Sequence, residues 1–235
     1  RATCSREQDP EIFEMLHGAY GSLGVLTKLT FRLLPAKPYV RMTYTRFECF
    51  DDFWRALRDH CEGDGRLFVD GIIHGPREHI LCVGEFVDSA PYTSSYTWRN
   101  IYYHSTRERA EDYLRTADYF FRYDTEAHWL SRTFPPLEMR VGRLVLGPFF
   151  LGSTKLLRWS KRLAPVFRRI QRRPDVIVDV FIPESRTVEF YAWYERVFDF
   201  WPLWVVPYRL LHPYPWIADE HQKLMKDQLM IDFAI

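Results

Sequence analysis

One order of elements, strand-helix-strand-strand, can be read twice along this chain, and it limits the possible folds more than any other feature. In the first pass Val40 to Phe47 has strand character with Arg41 and Arg46 pointing outward, and Asp51 to Cys61 is an amphipathic helix through Phe53, Trp54 and Leu57. Leu67 to His74 and Ile80 to Phe86 are strands joined by the turn HGPREH. In the second pass Val176 to Ile182 is a strand that Pro183 stops, Ser185 to Asp199 is a helix, and Leu203 to Val206 and Leu229 to Ala234 are strands. Apolar alternation marks the strands and a 3.6-residue period marks the helices. The repeated order predicts an α+β fold: an antiparallel sheet with helices packed on one face. A long helical and irregular insertion, Ser89 to Arg173, separates the two passes.

The chain ahead of the repeats reads differently. Asp9-Pro10 supplies a helix start, and Ile12, Phe13 and Leu16 share a face, so Asp9 to His17 is a short helix. Gly24 to Leu34 has the alternation of a strand and runs into Pro35, with Pro38 close behind. Pro35 to Pro38 is therefore the expected boundary between residues 1–36, the end of one domain, and residues 37–235, a second domain. The chain opens on RATCSREQD without an initiator Met and closes on LMIDFAI, so both ends read as cuts in a longer protein.

Composition excludes several classes. With 47% apolar and 17% aromatic residues among 235, the chain can bury a sizeable core and is not a disordered one. A net charge of +1 gives no global sign of nucleic-acid binding. Cys4, Cys49, Cys61 and Cys82 have neither zinc-finger nor redox spacing, which points to a reduced, intracellular chain without a metal site. No apolar run reaches the roughly 18 residues of a membrane span.

The turn Gly21-Ser22-Leu23-Gly24 lacks the third glycine and following helix of a dinucleotide fingerprint. Two glycines still let backbone N–H groups approach a phosphate or an adenine closely, although such a turn is also often just a turn. Its surroundings narrow the reading. DPEIFEMLHGAYGSLGVLTKLTFRLLPA resembles the last part of the flavin-binding domain in FAD enzymes of the vanillyl-alcohol-oxidase type. The resemblance implies that Gly21, Ser22, Leu23, Gly24, Val25 and Thr27 line the adenine and pyrophosphate side of FAD. RLFVDGIIHGPREHILCVGEF, DYFFRYDTEAHWLSR and VDVFIPESRTVEFYAWYERVFDFWPLWVVPYRL are similar, in order, to segments of the Δ24-sterol reductase branch. One departure is FFRYDTEAH, which stands where the vertebrate enzymes of that branch have a His-rich segment.

Over nearly the whole chain, the resemblance implies the end of an FAD domain followed by a substrate, or cap, domain. It further implies reduction of a carbon–carbon double bond in a sterol or other lipid, or the reverse dehydrogenation, with FAD as cofactor and NADPH as donor. An FAD oxidase or dehydrogenase of another substrate, and a non-catalytic lipid-binding or interaction protein that keeps only the cap, remain as alternatives.

Three stretches carry candidate residues. FFRYDTEAHW places Arg122, Asp124 and His128 on one segment. Arg122 could stabilise an anionic flavin or orient a polar group with Asp124 holding it, which makes both catalytic candidates, or the two could form a structural pair. FWPLWVVPYRLLHPYPW sets Trp201, Trp204, Tyr208, Tyr214 and Trp216 among prolines, as walls for a flat apolar ligand or as core. Trp204, Tyr208 and Arg209 are the substrate-binding candidates there. From Met139 to Arg173 there are ten basic residues and no acidic one, interleaved with Leu, Phe and Trp. This stretch suits peripheral contact with an anionic membrane, or else a solvated basic face, and no RNA-recognition module accompanies it.

Overall fold

The computed structural model describes residues 2–63, 68–125, 135–155, 158–159, 161–162, 179–210, 217–224 and 228–234. By internal contacts the chain divides into two units, Arg1–Pro35 and Ala36–Ile235.

The first unit holds one helix, α1 (Pro10–Met15), with Pro10 in its first turn. Past it, Tyr20 and Gly21 take positive φ of 48° and 81° and turn the chain, and Ser22 N–H donates to the Ala19 carbonyl at 2.8 Å. Gly24 to Leu34, expected as a strand, joins no ladder among the described residues. Alternation provides the side-chain pattern of a strand, but the strand itself needs a neighbour to bond to.

The second unit is built on one seven-stranded sheet of β1 (Tyr39–Phe47), β2 (Phe68–Gly75), β3 (Glu78–Val87), β4 (Glu111–Arg115), β5 (Asp179–Pro183), β6 (Leu203–Arg209) and β7 (Leu229–Ala234). Every pairing is antiparallel, in the order β4-β1-β3-β2-β6-β7-β5. Within it the first repeat supplies β1-β3-β2 and the second supplies β6-β7-β5, so each is the reverse image of the other about the junction of β2 and β6. That junction is short: Gly71, Ile72 and Ile73 face Val205, Trp204 and Leu203.

The repeat helices α2 (Phe50–Cys61) and α7 (Thr187–Val197) lie on the same face of the sheet, as the pattern required. Asp51 and Asp52 in the first turn of α2, with Arg58 and His60 in its last, complement the helix dipole. Phe53, Trp54 and Leu57 of α2 and Tyr191 and Tyr194 of α7 pack on Ile73, Leu81, Leu203, Val205, Ile231 and Phe233. The rings of Phe50 and Tyr191 stack at 3.8 Å and join the two helices directly. His79 reaches up from β3 between them, 2.9 Å from the Tyr191 hydroxyl, and burial lowers its pKa, so it is neutral at neutral pH.

The other face is covered over β1 to β3 by the insertion, which contains α3 (Tyr102–Glu108), β4, α4 (Thr116–Phe120), α5 (Pro135–Glu138) and α6 (Arg140–Phe150). Tyr96, Tyr102, Tyr103 and Tyr119 pack there on Val40, Met42, Ile72 and Cys82. Strand β4 was not expected. Its inward residues are Leu114 and Asp112, and the carboxylate hides the alternation that would have revealed it. Asp112 is fully buried but satisfied by Ser94 Oγ at 2.6 Å, Arg109 at 2.9 Å and the Tyr96 hydroxyl. All four cysteines are free.

Helix α2 comes this close to the sheet because β2 has no side chain at residue 71. A Cβ on Gly71 would lie 2.5 Å from Phe53 Cζ, a ring that is itself fully buried. Gly71→Ala should therefore cost about 1–3 kcal/mol, read as a fall in melting temperature of about 2–4 °C per kcal/mol. Gly75→Ala, where nothing lies within 4 Å, should change it little.

Candidate functional site

Successive residues of β2 face opposite sides: Gly71 and Ile73 lie under α2, while Ile72 lies under the insertion with Asp70. An isolated carboxylate at such a position is costly, so it requires partners. They come from far away in sequence. Arg122, in the turn after α4, puts a guanidinium nitrogen 2.7 Å from Asp70 Oδ2, and both side chains are buried. Trp204 of β6 donates its indole N–H to the same oxygen at 3.1 Å, and the Tyr123 hydroxyl lies 3.5 Å away.

An aromatic cage surrounds the cation. The Arg122 guanidinium carbon sits 4.1 Å from the ring centre of Tyr119, 4.7 Å from Tyr123 and 5.2 Å from Tyr102. Ring faces attract a cation, and more strongly where water is excluded. Burial works against the charge on Arg122, but Asp70 and the surrounding tyrosines more than offset it, and its pKa is held well above the usual value. Cys82, on the same face, has its thiol pKa pushed well up by burial and then by Asp70. The cluster is a fixed charge pair in an apolar setting, with Trp204 tied to it.

The sequence candidates separate accordingly. Arg122 and Trp204 meet through Asp70. Asp124 does not hold Arg122: it is exposed and accepts a hydrogen bond from Ser153 Oγ. The holding role belongs to Asp70, which sequence reasoning missed. The available signal was one carboxylate inside the apolar run LFVDGII.

Tyr208 shares the Trp204 face of β6, four residues along, and its ring meets Phe181 edge-to-face at 5.4 Å. Arg209 turns to the opposite face and donates to the Cys61 carbonyl at 2.8 Å. Gly21, Ser22, Leu23, Gly24, Val25 and Thr27 belong to the first unit and are all exposed. His128, Tyr214, Trp216, Val176 and residues 163–173 of the basic stretch lie outside the described residues. Among the described residues no cluster of His, Cys, Asp and Glu could hold a metal ion, and no helix is long and apolar enough to cross a membrane.

Fold and site together define an α+β sheet domain with one face carrying a buried ion pair and an aromatic surface. Among known proteins, the chain resembles Δ24-sterol reductases over most of its length. It is 20% identical to the Delta(24)-sterol reductase homolog of Caenorhabditis elegans over 221 residues, covering 87% of this chain and 41% of that protein. Against the Delta(24)-sterol reductase of Homo sapiens it is 20% identical over 242 aligned positions, covering 98% and 46%. Against that of Arabidopsis thaliana it is 22% identical over 233, covering 89% and 41%. The chain thus spans less than half the length of these relatives. No protein-family model matches it.

Removing one partner of a buried pair leaves the other charge stranded. Arg122→Met should cost about 3–5 kcal/mol of stability, measured by urea unfolding. The double variant Arg122→Met/Asp70→Asn should recover much of that loss, and Asp124→Asn should stay within about 0.5 kcal/mol of the parent.

Proposed function

We propose that this chain is the end of the flavin-binding domain and the substrate domain of an FAD-dependent oxidoreductase that reduces, or forms, a carbon–carbon double bond in a sterol-like lipid. The observation that carries this reading is the resemblance to Δ24-sterol reductases across 87%, 98% and 89% of the chain in three such proteins. The activity is that of the longer protein. FAD supplies, when bound, hydride exchange with carbon, and NADPH is the proposed electron donor.

The open backbone of the glycine turn supports that reading. A Cβ at Gly21 or at Gly24 would meet nothing within 4 Å, so the backbone from Gly21 to Val25 is open to close approach by a phosphate or an adenine. Leu23, Val25 and Thr27 are exposed beside it. On the sheet, Trp204 and Tyr208 offer an aromatic surface to a flat apolar ligand. Arg122 and Asp70 act as positioning residues in this reading, because they fix the indole of Trp204. Asp124 and Arg209, bonded to Ser153 and Cys61, lie outside the group.

A lipid substrate has to be collected from a membrane, and α6 suits that task. Val141, Leu144, Val145 and Phe149 recur at helical spacing, and with Met139 they are 55–68% exposed. Exposed Arg140, Arg158, Lys161 and Arg162 stand in the same acid-free stretch. An apolar helical stripe beside cations is the pattern of an interfacial helix on an anionic bilayer.

In the longer protein, NADPH should reduce the bound flavin and a Δ24-unsaturated sterol should reoxidise it, while Gly24→Val should fold but lose the flavin absorbance. Reduced flavin that the sterol leaves unchanged overturns the substrate, and unaltered flavin content in Gly24→Val overturns the role of the turn. In vesicle sedimentation the protein should pellet with anionic lipid and be released by salt, because about 1 kcal/mol per basic group near the surface is screened. Equal partitioning onto neutral lipid, or none onto either, overturns the docking role of α6.

A further inference from the structure

The sheet carries three buried aspartates, and two of them are satisfied within the fold. Asp70 has Arg122 and Trp204, and Asp112 has Ser94, Tyr96 and Arg109. Asp232, in the middle of β7, is the exception. The residue is only 5% exposed, and its Oδ1 is buried with no hydrogen-bond partner among the described residues. No ion pair reaches it among the described residues.

Burial, and then the nearby Asp179, raise its carboxyl to about 6, the response of a group taken from water without compensation. Among the described residues nothing in the packing accounts for a carboxylate at this position. A β-branched apolar residue of similar size would suit the strand better.

The surroundings describe what such a group could meet. Across the ladder Asp232 stands between Phe181 of β5 and Val206 of β6. Tyr208, paired with the neighbouring Met230, closes its ring onto Phe181 at 5.4 Å. Both rings are about half-exposed, at 48% and 50%, so these two side chains have room to part. Trp204 follows on the same face, two residues along β6 from Val206. This half of the face is an apolar, mainly aromatic surface with one unmatched hydrogen-bond acceptor.

We propose that Asp232 is the polar anchor of a ligand site on this face, accepting a hydrogen bond from the single hydroxyl of an otherwise apolar ring system that inserts between Phe181 and Tyr208 and extends toward Trp204. The inference rests on the sterol reading above and adds which residue recognises the polar end. A hydrocarbon ligand fills the same surface but leaves Oδ1 unpaired, so the site discriminates by the hydroxyl. A site built to bond a hydroxyl rejects the analogue that lacks it.

The experiment compares cholesterol with 5-cholestene, the same skeleton without the hydroxyl, in equilibrium binding to the full chain, to Asp232→Val and to Asp232→Asn. The parent should bind cholesterol about 10-fold or more tightly than 5-cholestene, as expected for a hydrogen bond to a charged acceptor. Asp232→Val should bind the two alike and melt no lower than the parent, and Asp232→Asn, which keeps an acceptor, should retain part of the preference. Equal binding of both sterols by the parent overturns the role of Asp232 and leaves the sterol reading standing. Binding of neither sterol overturns both. A preference that survives in Asp232→Val, or a marked loss of stability in that variant, also overturns the proposal.

Discussion

Everything on either face of the sheet depends on the short ladder between β2 and β6. Three residue pairs carry it, and each residue in it has a second task. Gly71, Ile73, Leu203 and Val205 form the floor on which α2 and α7 meet, and Ile72 and Trp204 form part of the opposite surface. The two half-domains each contribute a single helix to the first of these surfaces. Joined at this ladder they share one core, sealed by the Phe50–Tyr191 stack and by His79 beneath it. A one-residue slip would turn Trp204 toward the helices and move its N–H away from Asp70, so the register of three pairs also sets the geometry of the cluster.

The two faces solve the problem of burial differently. Under α2 and α7 the contacts are almost wholly apolar and aromatic. Under the insertion, tyrosines dominate, and charges are admitted only where they are matched, as with Asp112 and with Asp70 and Arg122. A buried ion pair contributes little net stability against an apolar replacement, but any arrangement that parts it leaves two charges stranded. The insertion is thereby held in one position on the sheet, and Trp204 is held with it.

Much of this was legible in the sequence, for a physical reason. The repeated strand-helix-strand-strand order rests on local periodicity, and each half could be read without the other. Strand β4 was hidden because its inward positions include Asp112, a residue whose burial makes sense only once Ser94, Tyr96 and Arg109 are folded around it. The alternation of Gly24 to Leu34 predicts how side chains would point in a strand, and it carries no information on whether a partner is present. The site was half visible. Arg122 and Trp204 stand out by type and by the motifs around them, but the carboxylate that joins them is 52 residues from one and 134 from the other. Nearness in sequence favoured Asp124, and the fold brings in Asp70. Asp70 and Asp232 share one local signature, a single acid within an apolar run, and only the structure shows that one is neutralised and the other is not.

The ends of the sheet carry a consequence for solubility. A β-sheet with bare edges invites another chain to continue it, which is the first step toward fibrils. At one end, beyond β4, two carbonyls are already taken from within the protein: the Ser94 backbone N–H donates to the Tyr113 carbonyl at 2.7 Å, and the Tyr92 side-chain hydroxyl donates to that of Glu111 at 3.1 Å. At the other, β5 begins with the exposed charge of Asp179 and ends with Pro183, which has no N–H to offer. An incoming strand would find two carbonyls taken at one edge, and at the other a charge to bury and a missing donor. The sheet grows to seven strands and has built-in reasons not to recruit an eighth from a neighbouring molecule.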